Sequence, residues 1–172
     1  MINYDLTKIR LLAFDVDGVL SASVVPIGAD GQPTRTANIK DGYAIHYAMS
    51  KGLEIAIITG GNNERVARRF LDLGCREVHM GCGRKKDVYE ALLEKYSLRD
   101  ENVLYMGDDI PDLEIMQHCG VPCCPKDAVP EIRNVALYIS HLAGGEGCGR
   151  DVIEQVMRAQ GTWLSGNEAY CW

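Results

Sequence analysis

Four groups of residues in this chain of 172 carry side chains that can do chemistry together. In chain order they are Asp15-Val16-Asp17-Gly18, Thr59-Gly60-Gly61, Lys85 and Gly107–Asp112. If the aspartates of the first and last groups lie close together, their like charges cannot all stay ionised without a cation. An all-oxygen ligand set with open positions favours Mg²⁺, which keeps waters and binds phosphate oxygens.

A metal-bound aspartate next to a hydroxyl and an ammonium group is typical of phosphoryl transfer. Aspartate is an established phosphoryl acceptor, so one of these carboxylates can attack phosphorus. The hydroxyl of Thr59, the backbone amides beside it and the ammonium of Lys85 can stabilise the charge on the transferred group. Each group alone is also common as a helix cap or a turn. Four of them in this order favour a functional site.

Short apolar runs alternate with segments of helical spacing, and this alternation must position the four groups. The runs are Leu11–Phe14, Glu54–Ile58, Val103–Met106 and Val121–Cys124, and a further short strand is expected at Glu77–His79. Helical spacing starts near Ile45, Val66, Val88 and Val152. This order predicts an α/β fold, a Rossmann-like doubly wound parallel sheet, with the chemistry at the carboxyl ends of its strands.

We expect residues 1–172 to form a single domain with two irregular segments. Residues 21–39, the flap segment, are predicted to form a β-hairpin after the first strand. Its strands and turn would be Ser23–Ile27, Thr34–Ile39 and Gly28-Ala29-Asp30-Gly31. Residues 162–172, the C-terminal tail, hold both tryptophans, so the tail either frays or docks.

Composition excludes several classes of function. The 24 acidic and 18 basic residues give a net charge of −6, and this argues against nucleic-acid or anionic-membrane partners. No apolar stretch reaches the roughly 18 residues that predict a membrane span. The seven cysteines lack framework spacing, so we expect free thiols in a cytoplasmic protein, without a zinc site.

The motifs resemble those of a known family. Asp15–Leu20, Ile57–Gly60, Lys85 and Gly107–Asp112 resemble, in order and spacing, the four motifs of the haloacid dehalogenase-like phosphohydrolases. Lys40–Tyr43, Ala143–Gly147 and Ala159–Gly161 look like its capless bacterial branch that acts on octulosonate phosphate in lipopolysaccharide precursor synthesis. The resemblance covers residues 9–162 and implies a Mg²⁺-dependent phosphatase of a sugar-acid phosphate.

The resemblance also implies roles for the aspartates. Asp15 would be the nucleophile that becomes an aspartyl-phosphate. Asp17 would protonate the leaving hydroxyl and then activate the hydrolytic water. Asp15, the backbone carbonyl of Asp17 and Asp108 would hold Mg²⁺. Asp109 and Asp112 would support the metal shell and the lysine.

The substrate-binding residues follow from the same resemblance. Thr59, Gly60 and Lys85 would hold the phosphoryl oxygens. We choose Lys85 over Lys86 from its distance to the flanking motifs. Arg69, ten residues after Thr59, would meet the substrate carboxylate, although a solvated helix face explains it as well.

The chain departs from the family pattern at one position, and two of its segments are short. Gly61 stands where octulosonate-phosphate phosphatases usually carry Arg and nonulosonate-phosphate phosphatases carry Glu, so the contacts at the sugar end are open. Ser21–Ile39 and Gly61–Arg84 are too short for a cap domain. The family implies a homotetramer, in which a neighbour's flap segment or tail closes the site.

Three other functions are compatible with some features of the pattern. A phosphatase of another sugar acid, such as a nonulosonate 9-phosphate, would use the same chemistry. A signalling receiver domain also combines carboxylates, Thr and Lys, but its acceptor aspartate follows a middle strand. A catalytically dead regulatory module would lack a catalytic position, and none is missing here.

Overall fold

The centre of the protein is a six-stranded sheet in which all neighbouring strands run parallel. The computed structural model describes residues 1–29 and 31–171. The strands are β1 (Leu11–Phe14), β2 (Glu54–Ile58), β3 (Glu77–His79), β4 (Val103–Met106), β5 (Val121–Cys124) and β6 (Tyr138–Ile139). Their order across the sheet is β3-β2-β1-β4-β5-β6. This order confirms the Rossmann-like prediction, and it places β2, β1 and β4 side by side.

Helices connect the strands. They are α1 (Ile39–Ser50), α2 (Glu64–Asp72), α3 (Lys85–Tyr96), α4 (Leu113–Met116), α5 (Pro130–Val135) and α6 (Cys148–Ala159). Short 3₁₀ helices cover Leu6–Lys8, Asp100–Asn102, Ile110–Asp112 and Asn167–Tyr170. Asn38 and Asn63 cap the amino ends of α1 and α2 by accepting backbone N–H groups.

Two apolar clusters cover the two faces of the sheet, because successive strand side chains point to opposite faces. On one face Phe14 and Ile57 pack with residues of α1, α2 and α6. On the other face Ala13 and Ile58 pack with residues of α3, α4 and α5. Burial on both faces explains why the strands read as continuous apolar runs.

The flap segment does not form the predicted regular hairpin strands. Among its described residues, an isolated antiparallel bridge joins Ile27 and Pro33, with a hydrogen bond from Thr34 N to Pro26 O at 2.8 Å. Pro26 and Pro33 have no N–H group, so a longer ladder cannot form there. Asp30, in the predicted turn, lies outside the described residues.

The C-terminal tail docks on its own chain as far as it is described. Trp163 packs edge-on against Tyr43 and Tyr47, and the Tyr47 hydroxyl donates to the Ser165 carbonyl at 2.9 Å. Ala169 is buried in the same cluster. Trp172 lies outside the described residues. The described tail therefore belongs to the core packing.

None of the helices among the described residues combines the length and apolar character that crossing a bilayer requires. All seven cysteines are free thiols, as expected, and five of them are buried. Burial raises the pKa of the Cys75 thiol to about 12 and that of Cys124 to about 11, so these thiols stay protonated at neutral pH.

Candidate active site

The predicted residues meet at the carboxyl edge of the sheet. Asp15 directly follows β1, Thr59 follows β2, and Asp108 follows β4 after one glycine. Lys85 begins α3, after the loop that leaves β3. They line a cleft of about 550 Å³ together with Asp17, Gly60, Asp109 and Asp112.

Lys85 lies between two carboxylates. Its Nζ is 2.9 Å from Asp15 Oδ1 and 2.7 Å from Asp112 Oδ1, and the side chain is only 5% exposed. Burial alone would lower the pKa of the Lys85 ammonium, but the charges of Asp112 and Asp15 raise it above its usual value. Lys86 instead contacts Glu90 and His118 outside the cleft. Lys85 is thus the lysine that can place a fixed positive charge beside Asp15.

Both carboxylate oxygens of Asp112 accept hydrogen bonds. Its Oδ1 accepts the Tyr105 hydroxyl at 2.6 Å as well as Lys85, and its Oδ2 accepts the backbone N–H groups of Asp108 and Asp109 at 3.1 and 3.4 Å. Four donors therefore satisfy both oxygens of this completely buried carboxylate. Tyr105 was not among the site residues predicted from the sequence. The signal that could have identified it is its place in a buried strand, where a tyrosine hydroxyl needs a hydrogen-bond partner.

Asp15, Asp108 and Asp112 offer carboxylate oxygens that all lie within 4.8 Å of one another. Burial, followed by the charge of Asp112, raises the pKa of Asp15 to about 6. Burial, followed by the charges of Asp15 and Asp112, raises the pKa of Asp108 to about 7. Asp108 Oδ1 is buried without a hydrogen-bond partner among the described residues. Crowded carboxylates with an orphaned oxygen fit a divalent cation.

Gly18 allows Asp108 to approach the turn after β1. A Cβ atom on Gly18 would lie 1.9 Å from Asp108 Oδ2, and the residue has a φ of +85°. A side chain at position 18 would therefore both clash and strain the backbone. The glycine after Asp17 is a requirement of the carboxylate cluster.

Thr59 connects the loops after β2 and β3. It is 2% exposed, its Oγ1 accepts the Gly61 N–H at 3.1 Å, and its carbonyl accepts the Cys82 N–H at 2.9 Å. The hydroxyl keeps its own hydrogen for an acceptor in the cleft. Asp109 is exposed and caps the following 3₁₀ helix by accepting the Ile110 N–H at 2.8 Å.

Asp17 is paired with a residue that the sequence did not single out. Arg35, in the flap segment, donates from Nε to Asp17 Oδ1 at 2.9 Å and from Nη2 to Oδ2 at 2.8 Å. Asp17 also lines the cleft. No motif marks Arg35, because it stands in an irregular segment far from Asp17 in sequence.

Arg69 is not in the cleft of its own chain. It lines a second cavity of about 330 Å³, which lies between the flap segment, α1 and α2 and which Arg35 also lines. Its Nη2 lies against Gly42, 2.8 Å from the position that a Cβ would take there. The structure therefore separates Arg69 from Thr59 and Lys85.

Comparisons with known proteins identify the family of the chain. Residues 74–147 match the model of the haloacid dehalogenase-like hydrolases. The 3-deoxy-D-manno-octulosonate 8-phosphate phosphatases of Salmonella typhi and Escherichia coli K12 are each 39% identical over 154 residues, covering 90% of this chain and 82% of theirs.

Two solved structures show the same similarity. The octulosonate phosphatase of Yersinia pestis superposes with a TM-score of 0.88 at 32% identity, over 92% of this chain and 85% of that one. The enzyme from Moraxella catarrhalis, solved with a magnesium ion, a phosphate ion and a molecule of the sugar acid, gives 0.87 at 30% identity, over 91% and 90%.

Proposed function

The chain belongs to the haloacid dehalogenase-like phosphatases, and from this we propose that it hydrolyses 3-deoxy-D-manno-octulosonate 8-phosphate. The products are the free sugar acid and inorganic phosphate, and the role is in lipopolysaccharide precursor synthesis in the cytoplasm. The similarity to octulosonate phosphatases over nine-tenths of the chain carries the proposal. The cleft supports it with a carboxylate, a hydroxyl and a buried ammonium group around one pocket.

In the first half-reaction a carboxylate oxygen of Asp15 forms a bond to phosphorus while the bond from phosphorus to the sugar oxygen breaks. Asp17 donates a proton to that oxygen, so the oxygen leaves as an uncharged hydroxyl group of the sugar acid. Lys85 and Thr59, with the Gly60 amide, bind the oxygens of the phosphoryl group.

In the second half-reaction a water attacks the aspartyl-phosphate on Asp15. Asp17, now ionised, accepts a proton from that water, and phosphate leaves with Asp15 restored. Asp112 keeps Lys85 charged and in place through both steps, since it accepts hydrogen bonds on both of its oxygens.

Mg²⁺ fits the carboxylate cluster, and this family contains it. Asp15, the backbone carbonyl of Asp17 and Asp108 would hold the ion, with Asp109 and Asp112 in support. When bound, it neutralises negative charge on the carboxylates and on the transferred phosphoryl group. The orphaned Oδ1 of Asp108 is the feature of this chain that favours a cation there.

We also propose a homotetramer in which a neighbouring chain covers the cleft. The described tail packs on its own chain, and this leaves the flap segment as the covering element. Val24 and Ile27 in that segment are 86% and 67% exposed, as expected for side chains that pack on another subunit. Light scattering after gel filtration should give four chains; an active monomer would contradict the proposal.

A nonulosonate 9-phosphate is the second candidate substrate. Gly61 has no side chain, and the position that its Cβ would take is 3.4 Å from Thr59 Oγ1 and 3.5 Å from Asp17 Oδ2. Gly61 is neither the Arg usual in octulosonate phosphatases nor the Glu of nonulosonate phosphatases, so this position does not favour one sugar acid over the other.

The test is a comparison of kcat/KM for octulosonate 8-phosphate, a nonulosonate 9-phosphate and a simple hexose phosphate, with Mg²⁺ and with a chelator. We expect the octulosonate to be preferred and the chelator to abolish turnover. A higher kcat/KM for the nonulosonate would select the second candidate. Activity that survives the chelator would contradict the role of Mg²⁺.

A further inference from the structure

Arg35 makes a two-point contact with Asp17 and is set deeper in the protein than its partner. The Arg35 side chain is 14% exposed and that of Asp17 is 41% exposed. Both oxygens of the carboxylate are bound by one planar guanidinium, and this geometry fixes an orientation as well as a distance. Among the described residues, no other side chain donates a hydrogen bond to the Asp17 carboxylate.

Hydrogen bonds connect the backbone next to Arg35 with the turn that carries Asp17. Thr36 N donates to the Ser21 hydroxyl at 3.0 Å, and Ala22 N donates to the Thr36 hydroxyl at 3.0 Å. Ser21 is fully buried, and its carbonyl accepts the Gly18 N–H at 3.0 Å. The residue after Arg35 is thus anchored to the same turn that carries Asp17. This anchoring makes the ion pair a built contact, although the flap segment lacks regular strands.

Gly61 provides the space that the guanidinium occupies. A Cβ at position 61 would lie 3.2 Å from Arg35 Nη2, closer than ordinary van der Waals contact. Any larger side chain there would have to displace Arg35 or turn away from it. Gly61 and Arg35 are therefore complementary: one leaves the space beside Asp17, and the other fills it.

We propose that Arg35 is a positioning residue that acts through Asp17. It holds the carboxylate at the place where the sugar oxygen leaves and where the water later attacks. One carboxylate must serve both steps, and a misplacement of about 1 Å can cost about 100-fold in rate. The proposal rests on the proposed function, since it needs Asp17 to transfer protons.

The test compares two substrates that differ in their need for a proton donor. The sugar acid leaves octulosonate 8-phosphate as an alkoxide unless Asp17 protonates the departing oxygen, whereas nitrophenyl phosphate releases a stable phenolate. In Arg35→Met we expect kcat for octulosonate 8-phosphate to fall about 10-fold to 100-fold with KM within about 2-fold. Turnover of nitrophenyl phosphate should fall less, and Arg35→Lys should recover some of the loss.

The variant Gly61→Val tests the same proposal without changing Arg35 itself. If it acts by displacing Arg35, it lowers the same kcat, and combining it with Arg35→Met adds little further loss. The matched control is Arg68→Met, which removes an exposed pair with Asp72 on α2 and should leave both activities unchanged.

Three outcomes would overturn the proposal. A rise in KM with unchanged kcat would make Arg35 a substrate-binding residue. An equal loss on both substrates together with a lower melting temperature would make its role structural. Unchanged kinetics in Arg35→Met, while Asp17→Asn is inactive, would show that Asp17 needs no positioning. A wild-type protein inactive on every sugar-acid phosphate would instead refute the proposed function.

Discussion

The two ends of the cleft are held by different kinds of structure. The phosphate end comprises Asp15, Lys85, Asp108 and Asp112. These residues follow strands or begin a helix, and Asp112 has four donors on its two oxygens. The flap end, Asp17 with Arg35, depends on a segment with one isolated antiparallel bridge among its described residues. The sheet thus positions the groups that we propose act on the phosphate, while an irregular segment positions the carboxylate that we propose meets the sugar oxygen.

The largest effect that tests this difference is expected at Gly18. In Gly18→Ala the new Cβ would meet Asp108 Oδ2 at 1.9 Å and would strain a φ of +85°. We expect the carboxylate cluster to open and Mg²⁺-dependent turnover to fall about 1000-fold. Gly31→Ala, also at positive φ but in open space, is the matched control for backbone strain. Equal losses in both variants would show that contact with Asp108 is unimportant.

Asp41 is a buried carboxylate outside the cleft, and no described side chain holds it with an ion pair like those of Lys85 at the phosphate end. Asp41 lines the second cavity and is 2% exposed, and its Oδ2 has no hydrogen-bond partner among the residues that the structure describes. Burial raises its pKa to about 6. Since the pKa in the unfolded chain is about 4, ionisation should lower the free energy of unfolding by about 3 kcal/mol as pH rises from 4 to above 6.

Asp41→Asn should therefore remove that loss of stability. Urea unfolding at pH 4.5 and pH 8 measures it: relative to the wild type, the variant gains stability at the higher pH. Asp87→Asn, at an exposed aspartate, should show no such gain. A parallel pH response of the Asp41→Asn variant and the wild type would mean that Asp41 is not the group responsible.

Metal binding should depend on pH at the phosphate end. Without metal, the pKa values of Asp15 and Asp108 are raised to about 6 and about 7, so Mg²⁺ has to displace protons below these values. We expect the dissociation constant of Mg²⁺ to fall by about tenfold per pH unit for each proton displaced between pH 5.5 and 7, and to level off above that range. Calorimetry in two buffers measures both quantities. Affinity that is constant across this range would argue against carboxylate ligands with raised pKa values.

The same division separates what the sequence predicted from what it did not. The five predicted strands have the bounds that we expected, and four of them are apolar runs because strands buried on both faces exclude most polar side chains. The phosphate-end residues follow such strands or begin the predicted helix, so their meeting was predictable. Neither β6, with two residues, nor the short helix α5 has enough periodicity to be recognised.

The flap end was harder to predict for a physical reason. Hydrogen bonds to the hydroxyls of Ser21 and Thr36 anchor the backbone beside Arg35. Contacts of this kind leave no periodic signal in the sequence. Arg69 was expected near the substrate from its spacing. In the structure it lines the second cavity together with Arg35, and its role toward the substrate carboxylate stays a prediction.

The central claim is that Asp15 is the nucleophile, and trapping the intermediate tests it most directly. Enzyme mixed with octulosonate 8-phosphate and Mg²⁺ is quenched in acid within one turnover, and its peptides are mapped by mass spectrometry. Our mechanism predicts one phosphoryl group on the peptide that contains Asp15, at Asp15 itself, and none in Asp15→Asn. Full turnover without a phosphorylated Asp15, or a wild-type rate in Asp15→Asn, would contradict it.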